Sequence, residues 1–435
     1  MSGAAAINQK LISDSANASP EQLQTRTAMM PNDWSIRRIS DFSKPVRGGS
    51  PRPAGDRRYF NGSYIPWLTV AALTNIPDSR IVVDKTESSL TEAGANFSRR
   101  LIAGTLIIAN SGATLGVAKR LGIDCCANDG IAALLNVDPG LSIDYLIYFI
   151  NSQTAILRGH VATGNGQPNL NTTLIGNITV PIPPTYKEQQ AIAEALGDAD
   201  ALIESLEQLI AKKRAIKQGA MHELLTGKRR LPGFKGEWEK RSLGEVGRWV
   251  GGATPSMRRK DYWDGGAIPW ASSSDVRIGP VKSTVHQITD KAITESSTTL
   301  VPSGSLLVVA RSGILRRFLP VGIAVHKIAI NQDIKALLPS PRVLGAFVFH
   351  AMVGAGHAIL GNCLKSGTTV ESIELSWLKR FEIDLPKDAD EQAAIATVLS
   401  EMDAELEALD AKLAKARAVK HGMVQELLTG RVRLI

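Results

Sequence analysis

Residues Glu188 to Leu231 occur a second time in this chain, as Glu391 to Leu434. The copies, EQQAIAEALGDADALIESLEQLIAKKRAIKQGAMHELLTGKRRL and EQAAIATVLSEMDAELEALDAKLAKARAVKHGMVQELLTGRVRL, align without a gap at an offset of 391 − 188 = 203 residues. A repeat of this length requires two copies of one structural unit and implies approximate internal two-fold symmetry. Shorter anchors carry the repeat into the rest of the chain. Trp34 is matched by Trp238, and Gly48-Gly49-Ser50-Pro51 by Gly251-Gly252-Ala253-Thr254-Pro255. Tyr59-Phe60-Asn61-Gly62 with Ile65-Pro66-Trp67 parallels Tyr262-Trp263-Asp264-Gly265 with Ile268-Pro269-Trp270, and Asn128-Asp129-Gly130-Ile131 parallels Asn331-Gln332-Asp333-Ile334. Between the anchors the halves diverge. The scaffold is duplicated and what it carries is varied.

The repeat divides the chain into an arm (1–30), a first globular domain (31–185), a central helical segment (186–230), a second globular domain (231–387) and a C-terminal helical segment (388–435). Each globular domain mixes short aliphatic runs (Ile81 to Val83, Leu106 to Ile108, Leu306 to Val309) with Gly, Pro, Ser and Asn clusters, which reads as an α+β fold rich in loops. Helix-like patches cover Asp144 to Leu157 and Leu344 to Ile359, and each domain closes on a strand-like run ending in proline, Ile178 to Pro184 and Phe381 to Pro386. The five Trp at repeated anchors (34, 67, 238, 263, 270) read as core rather than as a stacking platform.

In the helical segments Ile192, Leu196, Ala199, Ile203, Leu206 and Ile210 step by four and three, and Ile395, Leu399, Met402, Leu406, Leu409 and Leu413 step identically. That is a heptad seam, which needs a partner helix. An isolated seam is also met by an ordinary buried helix face. Two matching copies, each following a globular domain, favour two long helices packed antiparallel as a coiled coil. Gly197, Gly219 and Gly422 are expected to soften the helices, and Gly227 and Gly430 to stop them.

Catalytic chemistry is not legible. The chain has no Walker A loop, no dinucleotide-binding glycine pattern and no zinc-protease motif, and its histidines are scattered without triad or metal spacing. The three cysteines, Cys125, Cys126 and Cys363, suit a reducing, cytoplasmic setting, and no apolar run is long enough for a membrane helix. A net charge of +8 favours a polyanionic partner. The loops then supply the candidate DNA contacts. They are Arg47, Arg52, Arg57, Arg58, Lys119, Arg120, Asn165 and Gln167 in the first domain, and Arg258, Arg259, Lys260, Arg311, Arg316, Arg317 and Lys365 in the second. Arginine reads guanine, Asn and Gln read adenine, and basic side chains hold phosphates. A solvated surface charge explains any one of them. As a set on corresponding loops they favour nucleic acid.

With two varied domains, each followed by a helix running from Glu188-Gln189 to Leu224-Leu225-Thr226-Gly227 and from Glu391-Gln392 to Leu427-Leu428-Thr429-Gly430, the chain resembles the specificity (S) subunit of type I restriction–modification systems. The resemblance runs from about Trp34 to the C-terminus, while the arm has no counterpart in the repeat. It implies that each domain is a target recognition domain reading one half of a bipartite, asymmetric site in double-stranded DNA. It implies that the two helices set the spacing and dock two methyltransferase (M) subunits, with nuclease/translocase (R) subunits joining for cleavage. It implies no cofactor on this chain, with S-adenosylmethionine on M and ATP with Mg on R, and no active site here. A self-contained DNA-modifying enzyme and a coiled-coil scaffold whose domains bind protein are the competing expectations.

Overall fold

The computed structural model describes residues 30–112, 114–162, 169–365 and 370–434. Residues 1–29 of the arm, and with them Asn165 and Gln167 of the first domain, lie outside that set. The chain divides into two compact units, one of Met1–Leu209 with Leu409–Ile435 and one of Ile210–Ala408.

In the first unit a five-stranded sheet runs in the order Lys44–Arg47, Ile131–Leu135, Leu106–Ala109, Ala118–Leu121, Val82–Val83. A four-stranded sheet runs Ser88–Leu90, Phe60–Leu68, Cys125–Ala127, Arg99–Leu101, and a two-stranded one pairs Ser35–Arg38 with Thr179–Ile182. The central strands of the larger sheet are buried on both faces, which is why Leu106 to Ile108 reads as an unbroken apolar run. Helix α1 (Ile143–Ser152) covers one face, and Tyr145, Leu146 and Phe149 join Trp34, Ile39 and Ile175 in the core.

The second unit repeats these three sheets and adds a short one, Leu364–Lys365 paired with Ser372–Ile373. Its five-stranded sheet runs Gly247–Gly251, Ile334–Pro339, Leu306–Val309, Val321–Ala324, Gly279–Val281. Its four-stranded sheet runs His286–Ile288, Ile268–Ala271, Ile328–Ile330, Thr299–Val301, and Trp238–Ser242 pairs with Glu382–Pro386. Helix α3 (Gly345–Gly354) stands where α1 does, with Phe347, Val348 and Met352 buried. No single helix among the described residues is long and apolar enough to cross a membrane.

The two repeats form helix α2 (Tyr186–Leu224) and helix α4 (Ala389–Leu427), 39 residues each. Both run unbroken through Gly197, Gly219 and Gly422. Gly227 and Gly430 follow their ends at φ 66° and 73°, the left-handed conformation that glycine adopts without a Cβ penalty. Each unit holds the N-terminal half of one helix against the C-terminal half of the other. In the first unit Asp200 meets Lys420 at 2.5 Å and Glu207 meets Arg417 at 2.5 Å, a falling register against a rising one, so the pair is antiparallel. In the second Lys213 meets Glu405 at 2.6 Å and Lys217 pairs with Asp403, with the same sense. The Asp–Lys pairs are themselves copies, displaced by 403 − 200 = 420 − 217 = 203.

The seam is shorter than the heptad spacing suggests. Ile203, Leu206, Ile210 and Leu413 are buried between helices, and Leu406 and Leu409 are half-buried. Ile192 and Leu196 instead complete the apolar core of the first unit, and Ile395 and Leu399 that of the second. The first turns of each helix are therefore domain core that continues into a coiled coil. In exchange, the far end of the other helix enters each core: Leu427 and Leu428 in the first unit, Leu224 and Leu225 in the second.

Two clasps lock the exchange. Arg433, beyond α4, binds Glu188 in the first turn of α2 and reaches Asp33 at 3.0 Å, with its guanidinium over Trp34. Arg230, beyond α2, grips the fully buried Glu391 at 2.5 and 2.6 Å, and Trp238 donates to the same carboxylate. Beside each glutamate lies a buried glutamine. Gln189 Oε1 accepts from the Ser142 amide at 2.8 Å while its Nε2 donates to the Pro183 carbonyl, joining α1, the last strand and α2. Gln392 does the same with the Leu344 amide and the Pro386 carbonyl, both at 2.8 Å. Replacing either glutamine by leucine leaves two backbone groups buried and unpaired, at about 1–3 kcal/mol each. Gln189→Leu and Gln392→Leu should therefore lower stability by similar amounts in urea denaturation. An unchanged midpoint in either would show that the amide is not the joint.

Candidate nucleic-acid interface

Three loops meet at one edge of each unit because two glycines let them. Gly48 packs so tightly on the following turn that a Cβ would lie 2.1 Å from the Asn128 carbonyl oxygen, and a Cβ on Gly252 would lie 2.0 Å from that of Ile330. Gly48 is thus the counterpart of Gly252, an offset of 204 that Trp34 and Trp238 share. The loops meeting there follow Arg47 and Gly251, follow Ala109 and Val309, and form the Asn128–Gly130 and Asn331–Asp333 turns.

In the first unit Asp129 is the hub. Its carbonyl accepts from Arg47 Nε at 2.5 Å and Asn110 Nδ2 at 3.2 Å, and its carboxylate accepts from Ser50 at 2.6 Å with Arg52 at 3.6 Å. The Ser50 hydrogen bond, aided by the two arginines, holds the Asp129 carboxyl below its ordinary range. Arg99, which sequence reasoning passed over, donates through Nε to the Arg47 carbonyl at 2.6 Å and joins the cluster. Nothing in its sequence context marks it, because only the fold brings residue 99 to residue 47. Arg57 is exposed without an ion pair among the described residues, whereas Arg58 is taken up by Asp56 through two of its nitrogens.

The second unit builds the same edge with other residues. Thr254 donates to Gln332 at 2.7 Å, Arg311 Nε donates to Asp333 at 2.9 Å and Arg316 Nε binds Glu371. The short bridge from Ser111 to Asn169 in the first unit recurs as Arg311 to Ser372. Arg258, Lys260 and Arg317 are exposed, and Lys365 stands 3.9 Å from Glu374. Arg259 is committed to Asp261 and Glu295, a network that pulls the Asp261 carboxyl well below its ordinary range.

Two expected contacts are elsewhere. Lys119 is 2 % exposed, and its ammonium donates to the carbonyls of Pro77 at 3.1 Å and Arg80 at 2.5 Å. Burial pushes its pKa down to about 8. It is a structural tie, because strand alternation turns it inward, away from the loops. Arg120, beside it, pairs with Asp144 of α1 at 2.9 Å and also lies off the loop edge. Among the described residues no cluster of His, Cys, Asp and Glu could hold a metal ion.

Residues 31–213 and 235–416 match the family described as the type I restriction modification DNA specificity domain. The Escherichia coli EcoR124I/EcoR124II specificity subunit is 38 % identical over 174 residues, which cover 40 % of this chain and 43 % of that one, so the likeness spans less than half of that relative. The MjaVIII specificity subunit of Methanocaldococcus jannaschii is 22 % identical over 93 % of this chain and 94 % of its own. In fold, the chain is similar to the crystal structure of a type I restriction–modification S subunit from M. genitalium, with a TM-score of 0.60 at 13 % identity over 91 % of this chain and 97 % of that one.

Lys119→Met should orphan two carbonyls and lower stability by about 1–3 kcal/mol for each. The affinity of the folded fraction for DNA should not change. A loss of affinity at unchanged stability would return Lys119 to the interface.

Proposed function

Since the chain belongs to the type I restriction–modification DNA specificity family, we propose that it is the non-catalytic recognition subunit of such a system, reading a split, asymmetric site in double-stranded DNA. One observation carries the reading: two units of the same plan present the same loop edge, with different side chains on it. Equal frames give equal docking to the duplex, and unequal loops give unequal half-sites. Residues 31–185 and 231–387 are the two target recognition domains, and the paired helices are the spacer.

A second duplicated feature supports two copies of a common partner. Each unit has a groove beside the C-terminal half of a repeat helix, about 670 Å³ in the first and about 660 Å³ in the second. Lys420, Val424 and Leu428 line one and Lys217, Met221 and Leu225 the other, at matching repeat positions. Matched grooves suit two methyltransferase subunits, which bring S-adenosylmethionine, with nuclease/translocase subunits bringing ATP and Mg to the cytoplasmic complex.

Coexpression with the methyltransferase of its system, followed by mapping of methylated adenines, should give a split motif with a fixed gap that is lost without this chain. Methylation that ignores the chain would overturn the reading. Arg258→Ala with Lys260→Ala should weaken DNA binding across all sequences and reduce the slope of log affinity against log salt by roughly 1–2. An unchanged slope would remove both residues from the phosphate contacts.

A further inference from the structure

Three candidate contact arginines of the second unit make ion pairs, and they differ in how their guanidinium groups are held. Arg259 is spent: Nε and Nη2 bind Asp261 and Nη1 donates to Tyr262 at 2.8 Å. Arg311 and Arg316 are held by Nε alone. Arg311 Nε donates to Asp333 Oδ1 at 2.9 Å, and Arg316 Nε binds Glu371 Oε1. Among the described residues neither terminal nitrogen of either side chain makes a hydrogen bond.

The carboxylates are fixed. Asp333 and Glu371 side chains are 19 % and 18 % exposed, against 61 % and 69 % for their arginines. The Asp333 amide donates to Asn331 Oδ1 at 3.0 Å, and the Asp333 carbonyl accepts from the Ala310 amide at 2.7 Å. The Glu371 carbonyl accepts from the Ser312 amide at 3.0 Å. Glu371 Oε2 is buried with no partner among the described residues. Each arginine is therefore tethered at its base on a rigid acceptor, with the outer edge of its fork facing solvent. The short helical turn Gly313–Arg316, capped by Ser312, sets the spacing between the two.

The outer edge of a guanidinium, Nη1 with Nη2, matches O6 and N7 of guanine in the major groove. Tethering at Nε removes rotamer freedom before binding and leaves that edge unspent. Resting on the recognition reading above, we infer that Arg311 and Arg316 are the guanine-reading residues of the second unit, with Asp333 and Glu371 as their positioning residues. The half-site read by this unit then contains guanine, on either strand, at two positions, each dependent on one arginine.

The experiment is adenine-methylation mapping on the complex of full-length chain and methyltransferase, with Arg311→Lys, Arg316→Lys and Asp333→Asn. Lysine keeps the charge and loses the fork. Each lysine variant should relax one guanine position of one half-site, lowering discrimination there by roughly 10- to 100-fold, while the other half-site and the gap stay intact. Asp333→Asn should relax the same position as Arg311→Lys, which a loss of folding would not do, since that lowers methylation at every site equally. A wild-type motif unchanged by both lysine variants, or one without guanine in the affected half, overturns the inference alone. A wild-type complex with no split motif overturns the recognition reading and this inference with it.

Discussion

Each long helix begins with a buried carboxylate, and the arginine that neutralises it comes from the end of the other repeat. Glu188 is answered by Arg433 and Glu391 by Arg230. A buried carboxylate without a counter-charge is strongly destabilising, so neither helix start is stable until the other repeat arrives. The leucine pairs at positions 427–428 and 224–225 follow into the cores, and the cross-helix Asp–Lys pairs fix the register along the way. The exchange explains why the repeated sequence is conserved between the halves: each copy must fit its own domain at one end and the other domain at the far end.

The loop edge depends on this frame without being part of it. Its strands are anchored in cores that the helices complete, and its two close approaches need glycine. Within those limits the side chains are free to differ, and they do: Asp129 gathers arginines around a carbonyl and a serine-bonded carboxylate, whereas Asp333 and Glu371 each tether one arginine.

The helices were legible in the sequence because heptad spacing is a local signal, and Ile203, Leu206 and Ile210 pack as it indicates. The division of labour along them was not, because Ile192 and Leu196 obey the same spacing while facing a globular core. Arg311 and Arg316 were legible as loop arginines, but their tethers, 22 and 55 residues further on, were not. Lys119 misled because an adjacent Lys-Arg pair resembles a charged loop. In a strand the two point to opposite faces, and two carbonyls accept the inward one.

The exchange also sets an order on synthesis. The second unit, Ile210–Ala408, is one continuous stretch, whereas the first needs residues 409–435 to close. At about 5–20 residues per second the ribosome takes some tens of seconds to pass from the first helix half to that last segment. Throughout that interval the older unit has a complete sheet but lacks Leu427, Leu428 and Arg433, leaving an apolar face and an unanswered Glu188. The unit begun first is completed only when residues 409–435 emerge, after the whole of the continuous second unit.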